Sequence, residues 1–402
     1  MNAEDLLLEI TKPERRPDPF PLYAAARAAG ITRQADGAFL VGGHRDVTAL
    51  LHDPRISSDP NNVADPLVPP PPLLPFLLQD PPDHDRLRRV TMRQFGPPGR
   101  PDLVSSLEPA IAATIDGLLT GLAGRTELDV VDDFAYPLPV TVICELLGVP
   151  PADEPRFHQW ADAIVRGAGA ADQENAADLV EHSTKARNEL ADYLGQLVIA
   201  QREQPADNLL SNLANDPADD HLSDFDLLVT GVLLLVAGHE TTVNLIANGT
   251  LTMLRHPEVI SRLRDEPGYA LRYVEEVMRM EPPVQYLANR VATADIEIAG
   301  TTIPKGARVV LLLAGANRDP DCFRGPETFD PDRRDNQHFG FGGGIHFCFG
   351  APLARLEAQL ALTALARRLR NPRLLADPPP YRPSPVLRGP LHLPVAVDGV
   401  DA

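Results

Sequence analysis

The apolar positions of this chain recur mostly at helical spacing. Pro21–Ala29 and His44–His52 read as short helices, and between them Thr32–Gln34 and Ala38–Val41 flank Asp36-Gly37, a hairpin signal. Pro82–Phe95 reads as a helix with proline in its first turn, stopped by Gly96-Pro97-Pro98. Leu103–Leu122 and Asp133–Leu147 are amphipathic, and two or three polar helices follow between Glu154 and Gln204. Ser223-Asp224-Phe225-Asp226 is a capping-box pattern with Asp in place of Glu. The helix it opens can run to Arg255, about 48 Å at roughly 1.5 Å per residue. Because Leu227–Ala237 is apolar nearly all round, that helix is expected to pass through the centre of the molecule. Leu271–Met280 is a further helix, ended by Pro282-Pro283. Val291–Leu313 turns β-like, with a turn at Pro304-Lys305-Gly306, and Ala351–Leu369 returns to helix. The pattern predicts a mainly α protein with a small β region.

The 402 residues show no repeat and no flexible linker, so residues 1–402 are expected to form one domain. The proline-rich Pro66–Pro75 reads as a stiff loop. With 44 % hydrophobic residues the chain can bury an enclosed site. The N-terminal segment Met1–Pro19 lacks a basic stretch followed by an apolar one, so no secretory signal is visible. The strongly apolar stretch Leu227–Gly238 is shorter than the ~20 residues a membrane span needs. A cytoplasmic, unanchored protein is expected. A net charge of −19 argues against nucleic acid as a partner. Cys144, Cys322 and Cys348 are too few and too scattered for a disulfide framework, so any thiol chemistry falls on single cysteines.

One cysteine has a distinctive setting: Phe339-Gly340-Phe341-Gly342-Gly343-Gly344-Ile345-His346-Phe347-Cys348-Phe349-Gly350, with a helix beginning just after it. The glycines let the backbone approach a flat partner closely. A cysteine just before a helix N-terminus meets amide N–H groups and the positive end of the dipole, which favour the thiolate. Thiolate ligation of haem iron favours O–O cleavage. Other readings compete. A lone buried cysteine is commonly only packing. A glycine-rich turn before a helix can cradle phosphate, but no Lys-Ser or Lys-Thr follows. His338, His346 and Cys348 could ligate zinc, but no fourth ligand has the spacing.

The run Phe341-x-x-Gly344-x-His346-x-Cys348-x-Gly350 resembles the signature of the haem-thiolate monooxygenases, the cytochrome P450 family, at every motif position. The resemblance extends over nearly the whole chain, with the spacing of the soluble bacterial members. It implies the P450 fold, with haem b between a long central helix and the cysteine loop, and Cys348 as the metal ligand. Phe341 and Gly350 would shape the cofactor's bed. Ala237-Gly238-His239-Glu240-Thr241-Thr242 on the long helix resembles the family's oxygen-activation motif. Ala237 and Gly238 offer a flat surface for cofactor and dioxygen. Glu240 is an acid that is costly to bury, and Thr241 can bond back to a carbonyl and loosen the helix. The resemblance makes Thr241 a hydrogen-bond donor to iron-bound oxygen and Glu240 a relay of protons from solvent. Alone, these two would read as an ordinary helix turn. Glu276-Val277-Met278-Arg279 resembles the family's Glu-x-x-Arg brace under the cysteine loop. Partners for the two haem propionates would be His84, Arg88, Arg290 and His346, each otherwise a surface cation.

No flavin or iron–sulfur motif is present, so the resemblance implies electrons from NAD(P)H through a ferredoxin and a ferredoxin reductase. Arg86, Arg88, Arg89 and Arg93 crowd one helix, which could attract an acidic ferredoxin or be only a solvated face. Dioxygen and a hydrophobic small molecule are the expected substrates, in secondary metabolism. The substrate pocket would draw on Asn61–Gln79, the helices between Glu154 and Gln204, Leu234, Ala237, Val284–Ala288 and Val386-Leu387. Two rivals remain: a peroxide-driven haem-thiolate oxidase, and a non-catalytic haem-binding sensor. Neither has a need for Glu240 and Thr241.

Overall fold

In the computed structural model, residues 2–63, 74–96, 99–168, 176–334 and 336–401 are described; the proline run Pro69–Pro72 lies outside them. Helix α1 (Asp83–Phe95) begins behind Pro82 and ends at Gly96. Helix α2 (Pro137–Leu147) is buried on most of its faces and stops at Gly148, which sits in the left-handed region at φ 71°. Helix α3 (Asp224–Arg255) is the 32-residue central helix. Its start is capped as expected: the Asp226 N–H donates to Ser223 Oγ at 3.1 Å and the Ser223 N–H to the Asp226 carboxylate at 3.2 Å. Helix α4 (Tyr269–Met280) and helix α5 (Ala351–Arg368) complete the frame of the site. Chains of packed side chains such as Leu235, Val243, Ile246, Ala358 and Leu362 join α3 to α5 in the main core.

Two expected helices are interrupted. Leu103–Leu122 divides into Leu103–Ser106 and Glu108–Gly121, because Pro109 has no N–H to continue the first ladder. Asp133–Leu147 becomes a π-helical turn, Val131–Ala135, followed by α2, with Pro137 at the junction. The region from Glu154 to Gln204 holds helices Glu154–Ala168 and Ala176–Glu203.

The larger sheet comprises β1 (Thr32–Arg33), β2 (Phe39–Val41), β3 (Ile56–Ser57), β4 (Leu287–Ala292) and β5 (Arg308–Leu311), in the order β1-β2-β5-β4-β3. The hairpin β1–β2 turns at Gly37, φ 84°, in register Thr32↔Leu40. Strand β2 then runs parallel to β5, Phe39↔Val309, and β4 runs antiparallel to β5. The expected β region 291–313 is thus real but begins earlier, at Leu287, and also forms the small hairpin Ile296–Ile298 with Thr301–Ile303.

By length and composition α3 is long and apolar enough to cross a membrane, contrary to the shorter stretch read from sequence, and so is 103–121. In α3, 72 % of the apolar window is buried within the fold, the condition of a core helix.

Candidate functional site

The cysteine loop is built by local hydrogen bonds. The Cys348 N–H donates to Phe341 O at 2.9 Å, and the Gly342 N–H to Phe339 O at 2.8 Å. Gly344 sits at φ 64°, and a Cβ there would come within 2.0 Å of Leu51 O, so glycine is required. Gly350 caps α5, and its N–H and that of Ala351 face the Cys348 sulfur. Burial pushes the Cys348 thiol up, while these two N–H groups, Arg88 and Arg355 pull it down.

Beneath the loop lies a buried ion pair. Arg279 Nη2 and Glu276 Oε1 stand 2.7 Å apart, both side chains fully inaccessible. Arg279 also donates to the carbonyls of Asn317, Pro326 and Thr328 at 2.8–3.0 Å, and Glu276 accepts from the Asp330 N–H at 2.9 Å. Asn317 Oδ1 in turn accepts from the Phe339 N–H at 2.7 Å, which ties the brace to the start of the cysteine loop. Nearby, Glu275 accepts from Arg355 at 2.6 Å and pairs with His338 at 3.2 Å. Burial opposes its ionisation, but His338 and Arg355 hold the carboxyl down at about 2.

A cavity of about 270 Å³ separates the loop from α3. Its floor is Phe341, Gly342, Gly343 and Cys348; its roof is Leu233, Ala237, Thr241, Thr242 and Leu245. Phe76, Leu77, Val284, Leu287 and Leu313 close the sides, and Arg88, Arg290 and His346 stand at the polar end. Gly238 and Gly350 line a smaller adjoining cavity with Leu234, Cys348 and Glu357. Across the roof, Thr241 Oγ1 donates to Ala237 O at 2.5 Å.

The polar end concentrates positive charge. Arg88 donates to Phe347 O at 2.7 Å, and the His84 and His346 rings lie 4.4 Å apart. His84 Nδ1 bonds Asp85 at 2.8 Å and His346 Nε2 bonds Ser58 Oγ at 2.8 Å. That leaves His84 Nε2 and His346 Nδ1 buried without protein partners. Burial lowers Arg290 to about 10, and burial with Arg290, His84 and Arg88 lowers His346 to about 3. Crowded cations and orphaned ring nitrogens are what a partly buried dianion would relieve. A flat, apolar slot with a thiol on one face and an anion-binding end fits a haem with its two propionates.

Glu240 turns to the other side of α3. Its side chain is 3 % exposed, with the carboxylate 3.0 Å from Arg382 Nη1 and 3.5 Å from Asn244 Nδ2. Burial raises its pKa, and Arg382 and Asn244 oppose the rise.

Several expectations change. Arg86 pairs with Asp226, Arg89 with Asp220, and Arg93 with Asp216 and Asp220. These arginines are paired with acids just ahead of α3 and in its first turn and do not form an open cationic patch. Of the expected pocket segments, Phe76, Leu77, Ala237, Val284 and Leu287 line the large cavity. Leu234 lines the small one, and Val386-Leu387 and the helices between Glu154 and Gln204 do not line either. Sequence reading missed Ser58, Asp85 and Arg382. Ser58 and Arg382 meet their partners only through the fold, whereas Asp85 stands next to His84 in the chain and could have been read beside it.

The fold and this site together define a haem-thiolate oxidoreductase. A model of the cytochrome P450 family matches residues 40–385. The chain is 39 % identical to the cytochrome P450 monooxygenase PikC of Streptomyces venezuelae, over 94 % of this chain and 91 % of that one. It is 38 % identical to the pentalenic acid synthase of Streptomyces avermitilis, over 89 % of this chain and 88 % of that one. The ligand-free crystal structure of CYP164A2 from Mycobacterium smegmatis superposes with a TM-score of 0.87, at 41 % identity, covering 98 % of this chain and 100 % of that one. The chain belongs to the cytochrome P450 family, and family membership implies haem.

Proposed function

We propose that this chain, as a single cytochrome P450 unit over residues 1–402, is a cytoplasmic monooxygenase that hydroxylates or epoxidises a hydrophobic small molecule in bacterial secondary metabolism. The observation that carries this reading is the division of labour on α3: Thr241 opens on the cavity that Cys348 lines, while the adjacent Glu240 is a buried acid on the far side. Bound haem b supplies dioxygen reduction and oxygen transfer to substrate carbon. Cys348 would hold its iron as thiolate, with the Gly350 and Ala351 N–H groups stabilising the charge. His84, Arg88, Arg290 and His346 would bind the propionates, the two orphaned ring nitrogens serving as donors because a carboxylate only accepts. Phe341, Ala237 and Gly238 bound the haem plane. Apolar Leu233, Leu245, Val284, Leu287 and Leu313 exclude water and orient an apolar substrate. Thr241 would hold a hydroxyl at the cavity face of α3, and Glu240 would deliver the protons that dioxygen reduction consumes.

Electrons arrive from NAD(P)H through a ferredoxin and its reductase. The paired state of Arg89 and Arg93 moves the docking contact to the loop beside Cys348, where Ile345 and Phe347 are 50 % and 41 % exposed. The relationship to a pentalenic acid synthase supports a natural-product substrate. Thr241→Ala tests the reading. Given a ferredoxin system and a converted substrate, the variant is expected to keep consuming NADPH while losing about 10-fold or more of product per NADPH. Full coupling in the variant would refute the relay. A wild type that turns over equally well with hydrogen peroxide alone would favour the peroxide-driven oxidase, and one with no turnover at all the sensor.

A further inference from the structure

Positions 240 and 241 lie about 100° apart around the helix axis, so their side chains leave α3 on different sides. Thr241 faces the apolar cavity. Glu240 forms part of the wall of a separate, polar cleft of about 760 Å³. That cleft is bounded by Asp132, Tyr136, His158, Asp162 and Arg166 on one side, and by Arg382, Ser384 and His392 on the other. The rim is open to solvent: Asp132, Arg166 and Pro383 are exposed, and His392 pairs with Asp129 and Asp132 at 2.9 and 3.2 Å. Inward, exposure falls to 13 % for the Arg382 side chain and 3 % for Glu240. The cleft is thus graded from solvent to a single buried carboxylate.

The charged groups facing Glu240 are few. Arg382 comes from the C-terminal segment, held by its N–H to Gly389 O at 3.1 Å, and Asp162 comes from the helix Glu154–Ala168. Asn244 is the neutral neighbour on α3 itself. His239, next to Glu240, is spent on Tyr136 O at 3.3 Å, and burial lowers it to about 3, so it stays neutral. His158 stacks on Tyr136 nearer the rim, and burial lowers it too, against Glu154. An arginine so placed does two things. It stabilises the buried carboxylate as an ion, and it points that ion at the cleft rather than at the apolar cavity.

We propose that this cleft is the entry by which Glu240 takes up protons, and that Arg382 is the positioning residue that keeps the Glu240 carboxylate turned toward it. The inference rests on Glu240 being the relay to Thr241. A hydronium proton crosses the cleft, an O–H bond forms on a Glu240 oxygen, and water is left behind. Arg382 keeps its own proton and charge. Neutral Glu240 is then held by Arg382 only as a neutral hydrogen-bond acceptor, and its side chain is free to rotate toward Thr241. The cleft that admits protons is thus separate from the apolar cavity that Thr241 faces.

The test uses the haem-loaded full chain with Arg382→Met, Arg382→Lys, Leu391→Trp and Glu240→Gln. Leu391 is an exposed residue of the cleft wall, and tryptophan there narrows the cleft. Infrared spectra in H2O and D2O at neutral pH read Glu240 directly. Against the band that buried Glu357 already gives in the wild type, Arg382→Met should gain an additional carboxylic-acid C=O band in the difference spectrum, lost again in Arg382→Met/Glu240→Gln; Arg382→Lys should not gain it. NADPH oxidation through a surrogate ferredoxin and ferredoxin reductase, in H2O and D2O, reads proton entry. Arg382→Met and Leu391→Trp should slow it about 3- to 10-fold with a larger solvent isotope effect, and Arg382→Lys should restore most of the rate. If Glu240→Gln slows oxidation while Arg382→Met and Leu391→Trp match the wild type in rate and isotope effect, the cleft proposal is overturned and the relay stands. If Glu240→Gln itself matches the wild type, the relay reading falls and the proposal with it. Should Arg382→Met not fold, the Lys and Trp variants decide alone: a wild-type rate and isotope effect in Leu391→Trp overturns the entry.

Discussion

Glu275 illustrates how one side chain can couple the cysteine loop to pH. Its carboxyl is held at about 2 against an ordinary value of 4.5, burial being outweighed by His338 and Arg355. Arg355 also lies over the Phe341 ring at 4.3 Å, so the pair clamps the loop to α5. Because the folded pKa is depressed, the unfolded chain binds the proton first as pH falls. The contribution is fully present above about 4.5 and is lost as pH falls toward 2. Its size is about 3 kcal/mol at neutral pH by linkage. Glu275→Gln is therefore expected to lower stability toward denaturant by about that amount at pH 7 and by little at pH 2. Denaturant melts of wild type and variant across pH 2–7 check this, and parallel curves would show that the pairing contributes nothing. Glu357 is the opposite case. It is wholly buried on α5, its carboxyl is raised to about 8, and Oε2 has no protein partner. Here the folded state keeps the proton longer, so stability falls as pH rises from about 4.5 to 8. Glu357→Gln should flatten that decline in melts carried on to pH 8.

Among the elements, what sequence could reveal was what is local. The capping box of α3, the hairpin at Gly37 and the glycine-rich loop each depend on residues within a few positions of one another, and each reads directly. Prolines at 109 and 137 broke helices that the apolar period ran through, since period senses the buried face and not a missing N–H. The sheet order joins β2 to β5 across most of the chain, Phe39↔Val309, which no local pattern encodes. The candidate site divides the same way: Cys348, Glu240 and Thr241 were legible, and Arg382 was not, because its contact with Glu240 exists only after the C-terminal segment folds back over α3. The Glu276–Arg279 brace on α4 lies between these cases, with its spacing visible and its burial not. Arg279→Leu strands a buried carboxylate and should cost about 3–5 kcal/mol, with early loss of haem absorbance on heating. Glu276→Leu/Arg279→Met removes both charges. It should recover part of the pairing loss, but not the carbonyl and N–H bonds that fix residues 317–330.

At the scale of the whole molecule the net charge of −19 is the dominant long-range term. The basic residues of α1 do not offset it locally, since Arg86, Arg89 and Arg93 are each paired with an aspartate. Under the proposed function, an acidic ferredoxin would approach against a repulsive field and bind through short-range contacts, with exposed Ile345 and Phe347 beside Cys348 as the apolar part. Salt screens the repulsion beyond about 10 Å at 0.1 M and leaves apolar contacts in place. The expected result is that reduction by an acidic ferredoxin, at limiting concentration, speeds up about 2- to 5-fold between roughly 0.01 M and 0.2 M salt. Attraction to free arginines would give the opposite slope. Phe347→Glu should slow reduction at every salt concentration, whereas Arg89→Glu should have the smaller effect, because that arginine already carries a partner. A stopped-flow series over ionic strength with these two variants distinguishes the cases, and a rate that falls with salt and collapses in Arg89→Glu would restore the basic helix as the docking surface.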